Sequence, residues 1–275
     1  MVERAHDALV ASSASPPPIL EVCDIRAGYG RAAPVLRGLS VVVPPSSVVC
    51  LVGPNGAGKS TVLRVVSGML QPRAGSVMLK GEDITGLAPQ RLLARGLAYV
   101  LQGHSVFREM TVADNIRMGA FTLRDKAVVA ERITMVRDLF PLIGERWHAL
   151  AGGLSGGQQK MVEVGRSLML DPDIVLMDEP TMGLDPKSAA VVFAQIDVLR
   201  QHGRAVLLVE QNARRALEMA DLGCVLDLGR IAIEGPANEL LTSPELGQLY
   251  LGGRPRAARP RPPVSEQEER HASHH

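Results

Sequence analysis

Gly53-Pro54-Asn55-Gly56-Ala57-Gly58-Lys59-Ser60 decides the fold. It fits G-x-x-x-x-G-K-[ST], the pattern of a loop that cradles phosphates. An apolar run, Val48 to Val52, precedes it, and a helical pattern from Lys59 to Met69 follows. A triphosphate packs several negative charges into a small volume. Glycines let backbone N–H groups turn toward it without a Cβ in the way. The N-terminus of the following helix adds unpaired N–H groups and the positive end of its dipole. Lys59 is expected at the β and γ phosphates, and the Ser60 hydroxyl on Mg²⁺. Gly53, Pro54, Asn55, Gly56, Ala57, Gly58 and the adjoining Thr61 complete the expected nucleotide cradle.

Working outward, Ile174-Val175-Leu176-Met177-Asp178-Glu179 is a continuous apolar run that ends in two carboxylates. Such runs suit parallel strands buried on both faces. In an α/β sheet, ligands gather beyond the carboxyl ends of the strands. Asp178 and Glu179 are therefore expected in the same crevice as Lys59. Asp178 is the expected partner of Mg²⁺, through water. Glu179 is placed to orient or deprotonate an attacking water.

The rest of the chain fits an α/β domain. Ile19 to Ile25, Val35 to Val43, Val77 to Leu79, Leu97 to Val100 and Ala205 to Val209 are further strand candidates. Between them, Val129, Ile133, Val136 and Phe140 fall on one helical face, and Val192, Phe193, Ile196 and Leu199 on another. Both stripes are expected to be core. The stretch from about 103 to 170 is expected to be a helical insertion. Residues 1–18, ending in Ser- and Pro-rich sequence, predict a flexible leader. Residues 254–275, rich in Arg and Pro and ending in His271, His274 and His275, predict a disordered tail. The domain is expected over 19–253.

Composition narrows the function. Among 275 residues, 30 Lys and Arg face 29 Asp and Glu, a net charge of +1. That balance argues against a nucleic-acid partner, as do aromatics at 3 %. No apolar run approaches the ~18 to 20 residues needed to span a bilayer. Cys23, Cys50 and Cys224 are odd in number and far apart, which predicts reduced, buried thiols in place of a disulfide framework.

A third motif carries a family resemblance. Leu154-Ser155-Gly156-Gly157-Gln158-Gln159 opens a helix upstream of Asp178-Glu179-Pro180. Leu-Ser-Gly-Gly-Gln resembles the signature of ATP-binding-cassette (ABC) ATPases. The order of phosphate loop, helical insertion, signature and carboxylate strand is similar to theirs over nearly all of 19–253. The resemblance implies a P-loop NTPase fold of the ABC ATPase type, with a mixed-sheet core and an inserted helical subdomain. It implies ATP and Mg²⁺ as ligands. It implies that Tyr29 stacks on adenine, although a core tyrosine at a strand end is the alternative. It assigns Gln102 to the glutamine that touches Mg²⁺ and senses the membrane partner. It places Gly183-Leu184-Asp185 at a dimer interface, with Asp185 near nucleotide. Ser155, Gly156, Gly157 and Gln158 would contact ATP bound to the opposite subunit.

One position departs from the general pattern. Most such ATPases place a switch histidine after the strand Val206 to Val209, and Gln211 stands there in this chain. Gln can donate a hydrogen bond but cannot carry a titrating proton. Glu179 is left as the main candidate base. Val209-Glu210-Gln211-Asn212 and Tyr250-Leu251-Gly252-Gly253 resemble an ATPase subunit of branched-chain (hydrophobic) amino acid importers. That resemblance implies transmembrane permease subunits, a second identical or different ATPase subunit and an extracytoplasmic solute-binding protein. The chain would sit at the cytoplasmic face of the membrane through those partners. Coupling to the permease would run through the insertion near Phe107 and Met110, which could equally be core. An importer of urea, amides or another small solute is the alternative cargo reading. A non-transport ABC ATPase is the alternative of another class.

Overall fold

The computed structural model describes residues 16–103 and 105–250. The expected leader lies almost wholly outside them, and the expected tail and the end of the Tyr250–Gly253 motif lie entirely outside them.

The described strands form two sheets. The first is antiparallel and joins β1 (Leu20–Ala27), β2 (Leu36–Val43), β4 (Ala74–Leu79) and β5 (Glu82–Asp83) in the order β2-β1-β4-β5. The second joins β3 (Val48–Val52), β6 (Leu97–Val100), β7 (Ile174–Asp178), β8 (Ala205–Val209), β9 (Leu222–Asp227) and β10 (Arg230–Pro236) in the order β10-β9-β3-β8-β7-β6. All its pairings are parallel except β10 on β9.

The apolar runs explain the second sheet. Every residue of β3, β7 and β8 is buried. Alternation sends Val48, Cys50, Val52, Val175, Met177, Val206 and Leu208 to one face. There they join Ile116, Val136, Ile143 and Leu168 of the helical region. Val49, Leu51, Ile174, Leu176, Leu207 and Val209 point the other way. They pack with Leu20, Leu39, Val62 and Leu63, from the antiparallel sheet and helix α1 (Lys59–Val66). Helix α1 ends earlier than its apolar pattern suggests. Gly68 adopts φ +72°, and a Cβ there would stand 2.0 Å from the Leu87 carbonyl oxygen.

After α2 (Pro89–Leu93), the chain between β6 and β7 is helical: α3 (Val112–Met118), α4 (Lys126–Leu139), α5 (Pro141–Glu145) and α6 (Gly156–Ser167). Thr111 caps α3 by accepting from the Asp114 N–H, and Asp125 caps α4 by accepting from that of Ala127. Within the predicted stripe, Val136 and Phe140 are buried and Val129 and Ile133 half-buried. Beyond β7 come α7 (Pro186–Gln201), α8 (Ala213–Met219), α9 (Ala237–Leu241) and α10 (Pro244–Tyr250). On α7, Val192, Ile196 and Leu199 are fully buried, while Phe193, about 100° round the helix from Val192, is half-buried.

The cysteines form no disulfide. Cys50 and Cys224 lie on neighbouring strands but join opposite faces of the sheet. Burial pushes the Cys50 thiol up to about 12. The expectation of three buried thiols fails at Cys23, which is only half-buried on β1.

Candidate functional site

The site forms where β3, β7 and β8 end. Past Val52, Gly53 takes φ +155°, and a Cβ on it would stand 2.2 Å from the Leu226 carbonyl oxygen. Gly58 takes φ +112° just before α1, with the Leu36 side chain 2.8 Å from where its Cβ would be. Larger residues are excluded at both positions, so the loop can curl tightly over the helix N-terminus. Lys59 begins that helix and is buried. Its Nζ donates to the carbonyls of Gly53 at 2.8 Å and Pro54 at 3.2 Å. It stands 4.0 Å from Glu179 Oε1. The ammonium is thus folded back along its own loop, within reach of a cavity of about 480 Å³ lined by Tyr29, Asn55, Ser60, Gln102, Glu179 and Gln211.

Asp178 is the last residue of β7 and is 3 % exposed. Ser60 Oγ donates to its Oδ1 at 2.9 Å, and the Tyr99 hydroxyl donates to Oδ2 at 3.1 Å. Burial, followed by the charge of Asp178, keeps the Tyr99 hydroxyl protonated well above its ordinary range. A hydroxyl and a carboxylate side by side are hard oxygen donors that fit Mg²⁺. Among the described residues no group of three His, Cys, Asp or Glu side chains could hold a metal. Bound by Ser60 and Asp178, Mg²⁺ would neutralise phosphate charge.

Glu179 leaves the strand in the left-handed region, φ 44°, which is unusual for a non-glycine residue. Its N–H still donates to the Val209 carbonyl at 2.8 Å. Gln102 Nε2 donates to Glu179 Oε2 at 3.0 Å. Among the expected metal residues, Gln102 therefore stands with Glu179, while Ser60 pairs with Asp178. Tyr29 is 45 % exposed at the rim. Its hydroxyl accepts from Arg64 Nη1 at 3.1 Å and lies 3.4 Å from Thr61 Oγ1.

Ser155, Gly156, Gly157, Gln158 and Asp185 do not line this cavity. Ser155 and Gln158 close a capping box on α6: Ser155 Oγ accepts from the Gln158 N–H at 3.4 Å, and Gln158 Oε1 from the Ser155 N–H at 3.1 Å. Gly157 packs on α7, where a Cβ would stand 2.7 Å from the Ser188 carbonyl oxygen. Asp185 caps α7 by accepting from the N–H groups of Lys187 and Ser188, and hydrogen bonds from Ser188 hold its carboxyl below the ordinary range.

Two residues at the site were given no role of their own in the sequence. Tyr99 secures Asp178. Glu210, 2 % exposed, accepts from Thr181. Burial pushes its carboxyl up, against the pull of those hydrogen bonds. Its signal was available, since Glu210 follows an apolar run as Asp178 does.

The family model for ABC transporter matches residues 36–182. The chain is 41 % identical over 225 residues to the high-affinity branched-chain amino acid transport ATP-binding protein BraG of Pseudomonas aeruginosa, covering 82 % of this chain and 96 % of that one. It is 34 % identical over 238 residues to the lipopolysaccharide export system ATP-binding protein LptB of Acidithiobacillus ferridurans, covering 85 % and 97 %. A solved ATP-binding cassette of an ABC transporter, MJ1267 in its ADP conformation, superposes with a TM-score of 0.78 at 29 % identity, covering 86 % and 100 %. The chain belongs to the ABC transporter family, as an ATPase whose hydrolysis of ATP is coupled to transport.

Proposed function

We propose that this ATPase powers the uptake of branched-chain or other hydrophobic amino acids through separate transmembrane subunits. The observation that carries the cargo reading is the 41 % identity to BraG over nearly the whole domain. Val209-Glu210-Gln211-Asn212 supports the same reading. In the ATPase cycle, the amides of Gly53–Gly58 and Lys59 hold the phosphates, and Tyr29 supports adenine. Ser60 and Asp178, with Gln102 nearby, hold Mg²⁺. Glu179 accepts the proton of the attacking water, and Gln211 supplies a neutral hydrogen bond. Ser155–Gln158 and Asp185 serve a nucleotide held by a second ATPase subunit, identical or not.

Among the described residues no helix is long and apolar enough to cross a membrane. In this reading the permease is a separate chain, and a solute-binding protein completes an importer. Its docking place is supported by a second cavity, about 320 Å³, between β6 and the helical region. Phe121 is 85 % exposed there, beside Met118 and Leu101, which are also exposed. Clustered large apolar side chains on a surface mark an interaction site. Nearby Phe107 is exposed under the Arg166 guanidinium, 5.3 Å from its ring, whereas Met110 is half-buried. Phe107 is the better coupling candidate.

The similarity to LptB favours a second cargo, a glycolipid. The test is reconstitution of the full chain with its co-purifying membrane subunits in vesicles. ATP-dependent accumulation of radiolabelled leucine, isoleucine or valine supports the importer. Stimulation of ATPase activity by lipopolysaccharide alone, without amino acid transport, supports the other.

A further inference from the structure

We propose that Glu210 is a positioning residue that fastens the loop carrying Glu179 to the loop carrying Gln211, so that the two reach the phosphate site as one unit. The proposal rests on the reading of Glu179 as the group that activates water.

Strands β7 and β8 run in parallel and in register up to the pair Asp178 and Val209. Beyond that pair, the last backbone link is the Glu179 N–H on the Val209 carbonyl. Glu179 then turns through a left-handed conformation that its own side chain does not favour. Something past the strand ends must hold that turn, and the Glu210 carboxylate is placed to do so. Its Oε1 accepts from the Thr181 N–H at 3.1 Å and from Thr181 Oγ1 at 2.6 Å. Its Oε2 accepts from the Gln211 N–H at 3.2 Å. Its own N–H reaches the Leu51 carbonyl at 3.3 Å, two residues before the phosphate loop. One side chain and its backbone thereby tie together the ends of β3, β7 and β8.

A buried acid is a costly choice for a mere spacer. Among the described residues no Lys or Arg forms an ion pair with Glu210, and its partners are hydroxyl and backbone donors alone. Burial and the nearby charge of Glu179 both raise its affinity for a proton, and the three donors oppose that. An apolar residue would fill the space without this conflict. The carboxylate is explained by what it orients.

The test compares Thr181→Val, which removes one donor at nearly constant shape, with Thr181→Ser, which keeps it. Glu210→Gln and Glu179→Gln are measured in parallel on the full chain. Steady-state phosphate release gives kcat and KM for ATP, a fluorescent ATP analogue gives affinity, and thermal melting reports the fold. Thr181→Val and Glu210→Gln are expected to lower kcat about tenfold, while KM, nucleotide affinity and melting midpoint stay within twofold or a few degrees. Thr181→Ser is expected to keep wild-type kcat. The Glu210→Gln/Thr181→Val double variant should fall short of the product of the two single losses, since both weaken the same link between Thr181 and Gln211. Full kcat in Thr181→Val, or a loss that tracks melting or ATP affinity, overturns the proposal. If Glu179→Gln is inactive in that case, the base reading survives and only the fastening fails. If Glu179→Gln itself turns over normally, the base reading fails and takes this proposal with it.

Discussion

Glu163 and Glu179 are both acids near a lysine, and the contrast between them separates structure from chemistry. On α6, Glu163 pairs with Lys160 at 2.6 Å, with both side chains almost fully buried. The other Glu163 oxygen accepts from the N–H groups of Ser105 at 2.5 Å and Val106 at 3.1 Å. Lys160 also donates to the Gly103 carbonyl at 2.5 Å. Every strong valence in that cluster is spoken for. Among the described residues, Glu179 has its lysine at 4.0 Å and a single neutral donor, Gln102, on one oxygen. It faces a cavity of about 480 Å³. A saturated buried network fixes a conformation, while an under-occupied one at a cavity waits for a ligand. The two clusters meet in the chain: Gly103, Ser105 and Val106, held by Lys160 and Glu163, come just after Gln102. The closed cluster on the helical region thus holds the residue that touches the open one.

The comparison is broken most severely at Glu179. Glu179→Gln keeps shape and hydrogen bonding and removes the proposed base. Phosphate release is expected to fall by about 10² to 10⁴, with ATP affinity and the melting curve unchanged. Retained turnover would move Glu179 into the structural class. Next comes Glu163→Ala, which strands the buried Lys160 ammonium. Its cost belongs to folding: about 3–5 kcal/mol in urea unfolding. Replacing Lys160 and Glu163 together by apolar residues of similar size is expected to recover most of that loss. If the single substitution leaves stability unchanged, the cluster is no clamp. Lys59→Ala follows. Loss of a charge-assisted hydrogen bond, about 1.5–3 kcal/mol, is expected to weaken ATP binding roughly ten- to hundredfold. Isothermal titration would show it, with no comparable drop in stability.

How much of this was legible differs between the two clusters for a physical reason. Gly53–Ser60 and the run Ile174–Glu179 carry their meaning locally, because glycine spacing and continuous burial are properties of short segments. β3, β7 and β8 were legible on the same ground. β9 was not: it is short and Gly223 interrupts its apolar character, and it is a strand because β3 lies beside it. β5, only Glu82 and Asp83, exists through its pairing with β4. Lys160 and Glu163 sit three apart on a polar-looking helix start, where an exposed pair is the ordinary expectation. They are buried because a segment some 57 residues earlier folds across them. Glu210 gains its role the same way, through Thr181 in the loop that follows the neighbouring strand. Long-range burial is what a local pattern does not carry.

The smallest expected effect gives the sharpest test of the signature segment, which belongs by geometry to the closed class and by proposal to the open one. Ser155 Oγ accepts one hydrogen bond, from the Gln158 N–H, and that bond is long at 3.4 Å. As a cap alone, Ser155→Ala should cost about 0.5–1 kcal/mol of stability, the low end for such a substitution. A half-weight cap cannot produce a large catalytic defect, since 1 kcal/mol corresponds to about fivefold in rate. The measurement is therefore a ratio. If Ser155→Ala lowers ATPase turnover tenfold or more while urea unfolding shifts by under 1 kcal/mol, the hydroxyl acts on nucleotide held by a second subunit. If both losses stay near the cap's own worth, Ser155 is a helix terminus and nothing more.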